Sequence, residues 1–174
     1  MNMHEITICY GMTETSPVST QTKIGVPFQK QIYSVGTIHD HLEIKIINPE
    51  THEILKRGES GELCTRGYSV MLKYWNSPDA TKQVLDEQRW MHTGDLAMMD
   101  EEGYIHISGR IKDLIIRGGE NISPKEIEDF LYTYKGVMDA QVIGVPSEKY
   151  GEEIMAWIKP KEGITITEEE IRAF

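Results

Sequence analysis

Residues 109–128 read GRIKDLIIRGGENISPKEIE, and this stretch decides how the chain is divided. Leu114, Ile115 and Ile116 form a short apolar run of strand type, and Gly118-Gly119 closes it with a tight turn. Ser123-Pro124-Lys125-Glu126 reads as a capping box with proline in the first helical turn. Ile127, Phe130, Leu131 and Tyr134 then follow at helical spacing and give one apolar face. Strand, turn and helix in succession mark the start of a small α/β unit.

Downstream, strands fit residues 140–145 and 153–158, and Thr167-x-x-Glu170 opens a last helix. Upstream the style changes. Residues 42–46 (LEIKI) alternate as a half-buried strand, Asn48-Pro49-Glu50 makes a turn, and residues 61–67 (GELCTRG) form a strand framed by glycines. Ser77-Pro78-Asp79 starts a helix that should stop near Leu85. Glu101-Glu102-Gly103 is a turn ahead of a strand over 104–107. Nearer the start, residues 6–9 fit a strand broken by Gly11, and 15–31 read as loop with one strand near Ile24. The expected fold is α/β in the mixed α+β sense. A β-rich part covers 1–110, a small α/β part covers 111–174, and the boundary lies near Lys112.

The 174 residues are 39% hydrophobic and 26% charged, a globular balance. A net charge of −10, from 28 acidic and 18 basic residues, argues against a nucleic-acid partner, because phosphate neutralisation needs clustered Lys and Arg. Cys9 and Cys64 show no CxxC spacing, which predicts free thiols in a reducing compartment, the cytoplasm. No run approaches the ~18 apolar residues of a membrane span, so no transmembrane segment is expected. The first residues lack the basic head and long apolar core of a signal peptide.

Three stretches carry chemistry. In YGMTE (residues 10–14), Tyr10 offers a ring face to a flat heterocycle, and Gly11 allows close backbone approach. Thr13 can donate to a phosphate oxygen, and Glu14 can hold a hard cation such as Mg²⁺. A capped turn with a buried Tyr accounts for the same residues. In HTGD (92–95), the Asp95 carboxylate suits the paired hydroxyls of a ribose, or it caps a turn. Arg110 and Lys112, beside Gly118 and Gly119, could serve phosphate or ribose, or form a linker with a hairpin turn.

In order along the chain, YGMTE, GELCTRGYSVMLKYW, TGDL and GRIKDLIIRGGENISPKEIE resemble the later motifs of the adenylate-forming (AMP-binding) acyl-CoA synthetases. The resemblance runs from Tyr10 to about Phe174. RGGENISP and the following Gly144-Val145-Pro146-x(4)-Gly151-Glu152-Glu153 resemble the medium- and long-chain fatty acyl-CoA synthetase branch. Such enzymes join a fatty or other carboxylic acid to ATP as an acyl-adenylate, and the thiol of coenzyme A then displaces AMP.

The resemblance implies that Tyr10 stacks on adenine, Thr13 contacts the α-phosphate and Glu14 holds Mg²⁺. Gly11 and Met12 would touch the acyl group. Asp95 would bind the ribose diol, with Arg110 as a second ribose contact. Lys112 would be the hinge, and Gly118 and Gly119 the turn that swings towards the thiol tunnel. It also implies that the phosphate loop, in the missing N-terminal part of the same enzyme, lies upstream of Tyr10, and that a lysine serving adenylation lies beyond Phe174. The chain would then be a carboxyl-side fragment, the end of a large domain with an incomplete small one, inactive by itself. An aryl-CoA ligase or peptide-synthetase adenylation domain is the alternative within the superfamily. A non-catalytic AMP-binding or interaction module is the alternative outside it.

Other features read as structural. His39 and His41 would share one strand face as surface histidines, and Met71, Met98 and Met99 would fill core. Trp75 and Trp90 are assigned packing roles, and residues 168–170 the solvated start of a helix.

Overall fold

The computed structural model describes residues 5–174. They form a mixed α/β arrangement of antiparallel sheets with few helices, in two compact units that meet in sequence between Ile107 and Ser108.

The first unit opens with β1 (Cys9–Gly11), a 3-10 turn (Thr13–Thr15) and β2 (Val18–Gln21), followed by α1 (Phe28–Tyr33) and β3 (Thr37–Ile38). The three strands make an antiparallel sheet in the order β1-β2-β3. Next come β4 (Leu42–Ile47), β5 (Ser60–Gly67), α2 (Pro78–Val84), β6 (Met91–Met99) and β7 (Ile105–Arg110), with the strands in that order in a second sheet. β5 is buried without a break from Gly61 to Thr65 because both of its faces are covered. Leu63 packs with Ile46, Ala97 and Ile105 on one side, and Cys64 with Ile47 and Trp90 on the other. Burying a side chain such as Leu63 contributes about 1.5–3 kcal/mol, so this strand anchors everything attached to it.

The second unit takes in the end of β7, then a 3-10 turn (Ile111–Asp113), β8 (Ile115–Arg117), β9 (Glu120–Ile122), α3 (Pro124–Tyr132), β10 (Val137–Ser147), β11 (Gly151–Pro160) and α4 (Glu168–Ala173). Its sheet runs β10-β11-β8-β9. Arg117 pairs with Glu120, leaving Gly118 and Gly119 as a two-residue hairpin turn with φ of +61° and +92°. Positive φ at both central positions is what such a turn demands, and glycine adopts it without steric cost. Ile115, Leu131, Val137, Ala140 and Val142 form the buried core, with Ile127 and Tyr134 packed against it. Phe130 is half exposed and stacks on Phe174, ring centroids 4.6 Å apart.

Several local expectations are corrected. The first strand is Cys9–Gly11, so Gly11 ends it rather than standing outside it. The strand expected near Ile24 is β2, three residues earlier, and Ile24 is exposed. Ser123 precedes α3 as expected but does not cap it. Its hydroxyl donates to the Ser108 carbonyl instead, at 3.1 Å. The second expected box is present: Thr167 and Glu170 exchange their hydrogen bonds at 2.8 and 3.3 Å. His39 and His41 lie in the turn between β3 and β4, where His41 has φ +63°, so they share no strand face. Trp90 is core, but Trp75 is 83% exposed and packs little. β6 is nine residues long, and its polar centre hides it from any hydropathy pattern.

Candidate functional site

The first loop is tied by its own backbone and Thr15. The Thr15 hydroxyl is buried, accepts from the Met12 N–H at 3.0 Å, and lies 3.0 Å from the Met12 carbonyl. This closes the 3-10 turn that carries Thr13 and Glu14, and Ser16 leaves it in the left-handed region at φ +56°. Gly11 is obligatory: a Cβ there would stand 1.6 Å from the Pro17 carbonyl oxygen. Thr13 stays exposed. The Glu14 carboxylate accepts from the Tyr74 phenol at 2.7 Å, and its carbonyl accepts from Met71 N–H at 2.8 Å. The hydrogen bond to Glu14, reinforced by burial, raises the Tyr74 pKa.

Asp95 is presented by a distortion in the second sheet. Glu62 pairs with Leu96 and Cys64 with His92, so Thr93, Gly94 and Asp95 all stand opposite the single Leu63. A bulge of this kind re-aims a side chain that a regular strand would send elsewhere. Gly94 supplies the positive φ of +72°. The Thr93 hydroxyl donates to the Leu63 carbonyl at 2.7 Å and accepts from the Asp95 N–H at 3.1 Å. Glu62 holds the other side, with one oxygen accepting from the Gly94 N–H at 3.2 Å and the second 2.9 Å from His92 Nδ1.

These two constructions meet. Tyr10 donates its phenolic hydrogen to Asp95 Oδ2 at 2.6 Å, joining residues 85 positions apart. Asp95 is only 7% exposed, and the Tyr10 ring packs on the cluster around Leu63. The short O–H···O⁻ distance is that of a charge-assisted bond. It orients both the ring and the carboxylate.

Glu62, Cys64 and His92 place three potential metal-donor atoms within 4.8 Å of one another. Burial pushes the Cys64 thiol up to about 12, with the Glu62 charge adding to it. Glu62 is already bonded to both Gly94 and His92, so this trio serves the bulge. A magnesium ion takes one or two carboxylates together with phosphate oxygens and water, and Glu14 is a carboxylate that could serve as one of them.

In the second unit, Arg110 ends β7 and is exposed, as is Lys112 in the 3-10 turn after it. Gly118 and Gly119 are exposed at the tip of the β8–β9 hairpin. That hairpin is braced by Arg117, which bonds the Glu153 carboxylate at 2.5 Å and lies over the Tyr150 ring at 4.2 Å.

Tyr74, Glu62 and Thr93 were not singled out by sequence reasoning. Only cross-strand register reveals the latter two, because their partners lie about thirty residues away.

Two family models match the chain: AMP-binding enzyme over residues 1–75, and AMP-binding enzyme C-terminal domain over residues 126–174. The whole chain is 51% identical to a putative acyl-CoA synthetase, YngI, of Bacillus subtilis (strain 168), and covers 32% of that protein. It is 46% identical to the mitochondrial medium-chain acyl-CoA ligase ACSF2 of Homo sapiens, again along its full length, and covers 28% of it. The chain thus spans about a third of the length of these relatives.

Among solved structures, ATP-bound MatB from Rhodopseudomonas palustris superposes with a TM-score of 0.89 at 36% identity, over 95% of this chain and 32% of that one. The o-succinylbenzoate coenzyme A synthetase MenE from Bacillus subtilis, in complex with AMP, gives 0.80 at 30% identity over 96% and 33%. Matched end to end by proteins of this kind, in sequence and in fold, the chain belongs to the family of AMP-binding, adenylate-forming enzymes.

Proposed function

We propose that these residues form the carboxyl-side part of an AMP-forming fatty acyl-CoA synthetase, with residues 1–110 contributing to its nucleotide-binding domain and 111–174 to its small mobile domain. The carboxylate of a fatty acid attacks the α-phosphate of ATP, forming an acyl-adenylate and releasing pyrophosphate. The thiol of coenzyme A then attacks the acyl carbonyl, forming the thioester and releasing AMP.

The Tyr10–Asp95 hydrogen bond carries the proposal. It binds the end of YGMTE-type strand β1 to the bulge of β6 and places an aromatic ring beside a carboxylate. That pair matches the two needs of a nucleoside: a flat surface for the base and paired acceptors for the ribose hydroxyls. Because the phenol donates in the plane of its ring, the bond leaves the ring faces to packing and stacking. Fixing both groups before the ligand arrives lowers the ordering cost of binding.

Thr13, exposed on the 3-10 turn, donates to the α-phosphate, while Gly11 and Met12 border the acyl group. Glu14, held by Tyr74, is the residue that would hold Mg²⁺, which would neutralise charge developing on the phosphates. Arg110 adds a ribose contact, Lys112 is the hinge, and Gly118 and Gly119 leave room for the thiol at the hairpin tip. In the intact enzyme these groups act with the remaining two thirds of the protein; the chain alone binds nucleotide and does not complete the synthesis.

Calorimetric titration of the folded chain with AMP, beside an Asp95→Ala variant, tests this. Binding abolished by Asp95→Ala is the expected result. Absence of binding to the folded wild-type chain would remove the nucleotide assignment from these residues, and thioester formation from ATP, CoA and fatty acid by the chain alone would overturn its proposed inactivity.

A further inference from the structure

We propose that Glu62 is a positioning residue of the nucleotide site, its carboxylate braced by His92 and clamping the bulge that presents Asp95 to the ribose. The proposal rests on the assignment of Asp95 to the ribose hydroxyls. Glu62 acts on Asp95 through Gly94.

The bulge has two fastenings on opposite sides. One is the Thr93 hydroxyl, which spans the Leu63 carbonyl and the Asp95 N–H at 2.7 and 3.1 Å. The other is Glu62, whose two oxygens take the Gly94 N–H at 3.2 Å and His92 Nδ1 at 2.9 Å. Glu62 is 7% exposed. A carboxylate at that depth is costly unless its oxygens are bonded, and here both are bonded, one to Gly94 within the bulge and one to His92 at its edge.

The two contacts reach β6 at positions 92 and 94, and the Asp95 carboxylate follows directly. Losing the clamp frees Gly94, which carries no side chain to resist backbone rotation. A displacement of about 1 Å there suffices to spoil a two-point contact with vicinal hydroxyls.

The brace also responds to pH. Glu62 raises the His92 pKa through their hydrogen bond, against the opposing effect of burial. The groups that face the ring are Glu62 and Cys64 from β5, Lys45 from β4, Asp86 from the loop before β6, and the edge of His52. A raised histidine pKa means that the charged brace is complete below the ordinary histidine value and is lost as pH rises through the folded value.

The test compares AMP with 2′-deoxy-AMP, whose phosphates titrate alike, so the ratio of their dissociation constants reports the ribose contact alone. In the wild-type chain at pH 6 the ratio is expected to be about tenfold, the net contribution of one hydrogen bond to a charged acceptor. Asp95→Ala should bring it near one, and so should Glu62→Ala. Glu62→Gln, which keeps an acceptor for Gly94 but cannot form the charged brace, should give an intermediate ratio, the level to which the wild-type chain falls at pH 9. In the wild-type chain the ratio should fall as pH rises from 6 to 9, and in Glu62→Gln it should be flat.

A ratio unchanged in Asp95→Ala, or no binding of either nucleotide by the wild-type chain, would refute the ribose assignment and this inference with it. A ratio that collapses in Asp95→Ala but survives in Glu62→Ala would refute the positioning role alone. If Glu62→Ala does not fold, the wild-type pH series decides: a flat ratio overturns the brace.

Discussion

Replacing Tyr10 by Phe removes one oxygen and leaves the ring in place, so it isolates the bond that joins the two halves of the candidate site. The bond is 2.6 Å long and its acceptor is a carboxylate 7% exposed. Hydrogen bonds to charged groups contribute about 1.5–3 kcal/mol net, and the short bond to a buried carboxylate falls within that range. Asp95→Ala removes the acceptor but also its other contacts, so the clean quantity is the coupling in a double-mutant cycle of Tyr10→Phe and Asp95→Ala, expected at about 2 kcal/mol.

Urea unfolding followed by fluorescence measures it. Trp90 is buried in the first unit, while Trp75 and Trp157 are 83% and 67% exposed. A background with both exposed tryptophans changed to Phe therefore makes Trp90 a reporter of the unit that holds the site. With a slope of about 2 kcal/mol per molar urea, Tyr10→Phe should lower the midpoint by roughly 1 M. A coupling below about 0.5 kcal/mol would refute the claim that this bond fixes the two side chains.

Three further outcomes follow from local geometry. Gly11→Ala should destabilise the first unit by about 3 kcal/mol, read as a lower urea midpoint, since the added Cβ meets the Pro17 carbonyl oxygen at 1.6 Å and backbone cannot move aside. With an aromatic disulfide reagent, one thiol per native chain should react, because Cys9 is exposed whereas Cys64 is fully buried and pushed up to about 12; both should react in urea. Burial alone would raise the Asp100 pKa, but Lys30, the Tyr104 N–H and His106 donate to it and hold it well below the usual carboxylate range. Its stabilising effect is thus complete above about pH 4 and is lost as pH falls further, so Asp100→Asn should narrow the gap between urea midpoints at pH 7 and pH 3.

What was legible in the sequence follows from where the determining contacts lie. The α3 start, the Gly118-Gly119 turn and the Thr167 box are set within a few residues, and proline, paired glycines or Thr-x-x-Glu announce them. The β1 boundary was less so, because Gly11 is required by Pro17 across a bulged pair and not by a break in the strand. β6 was invisible as a strand since Thr93, Gly94 and Asp95 interrupt any alternation, and that interruption is what presents Asp95. Ser123 shows the limit of a local motif: its hydroxyl had a choice of acceptors, and the Ser108 carbonyl took it. Asp95 could be picked out as a carboxylate in a turn-like tripeptide, but its bond to Tyr10 and the Glu62 clamp depend on a register that only the folded sheet sets.

The most direct test of the central claim, that YGMTE and the β6 bulge together form the nucleoside half of an adenylate site, is an amide chemical-shift titration of the ¹⁵N-labelled chain with AMP. Saturable shifts at Gly11, Gly94 and Asp95, lost in Asp95→Ala, are the predicted result. Saturable shifts confined to residues outside these two segments, or none at millimolar AMP, would contradict it.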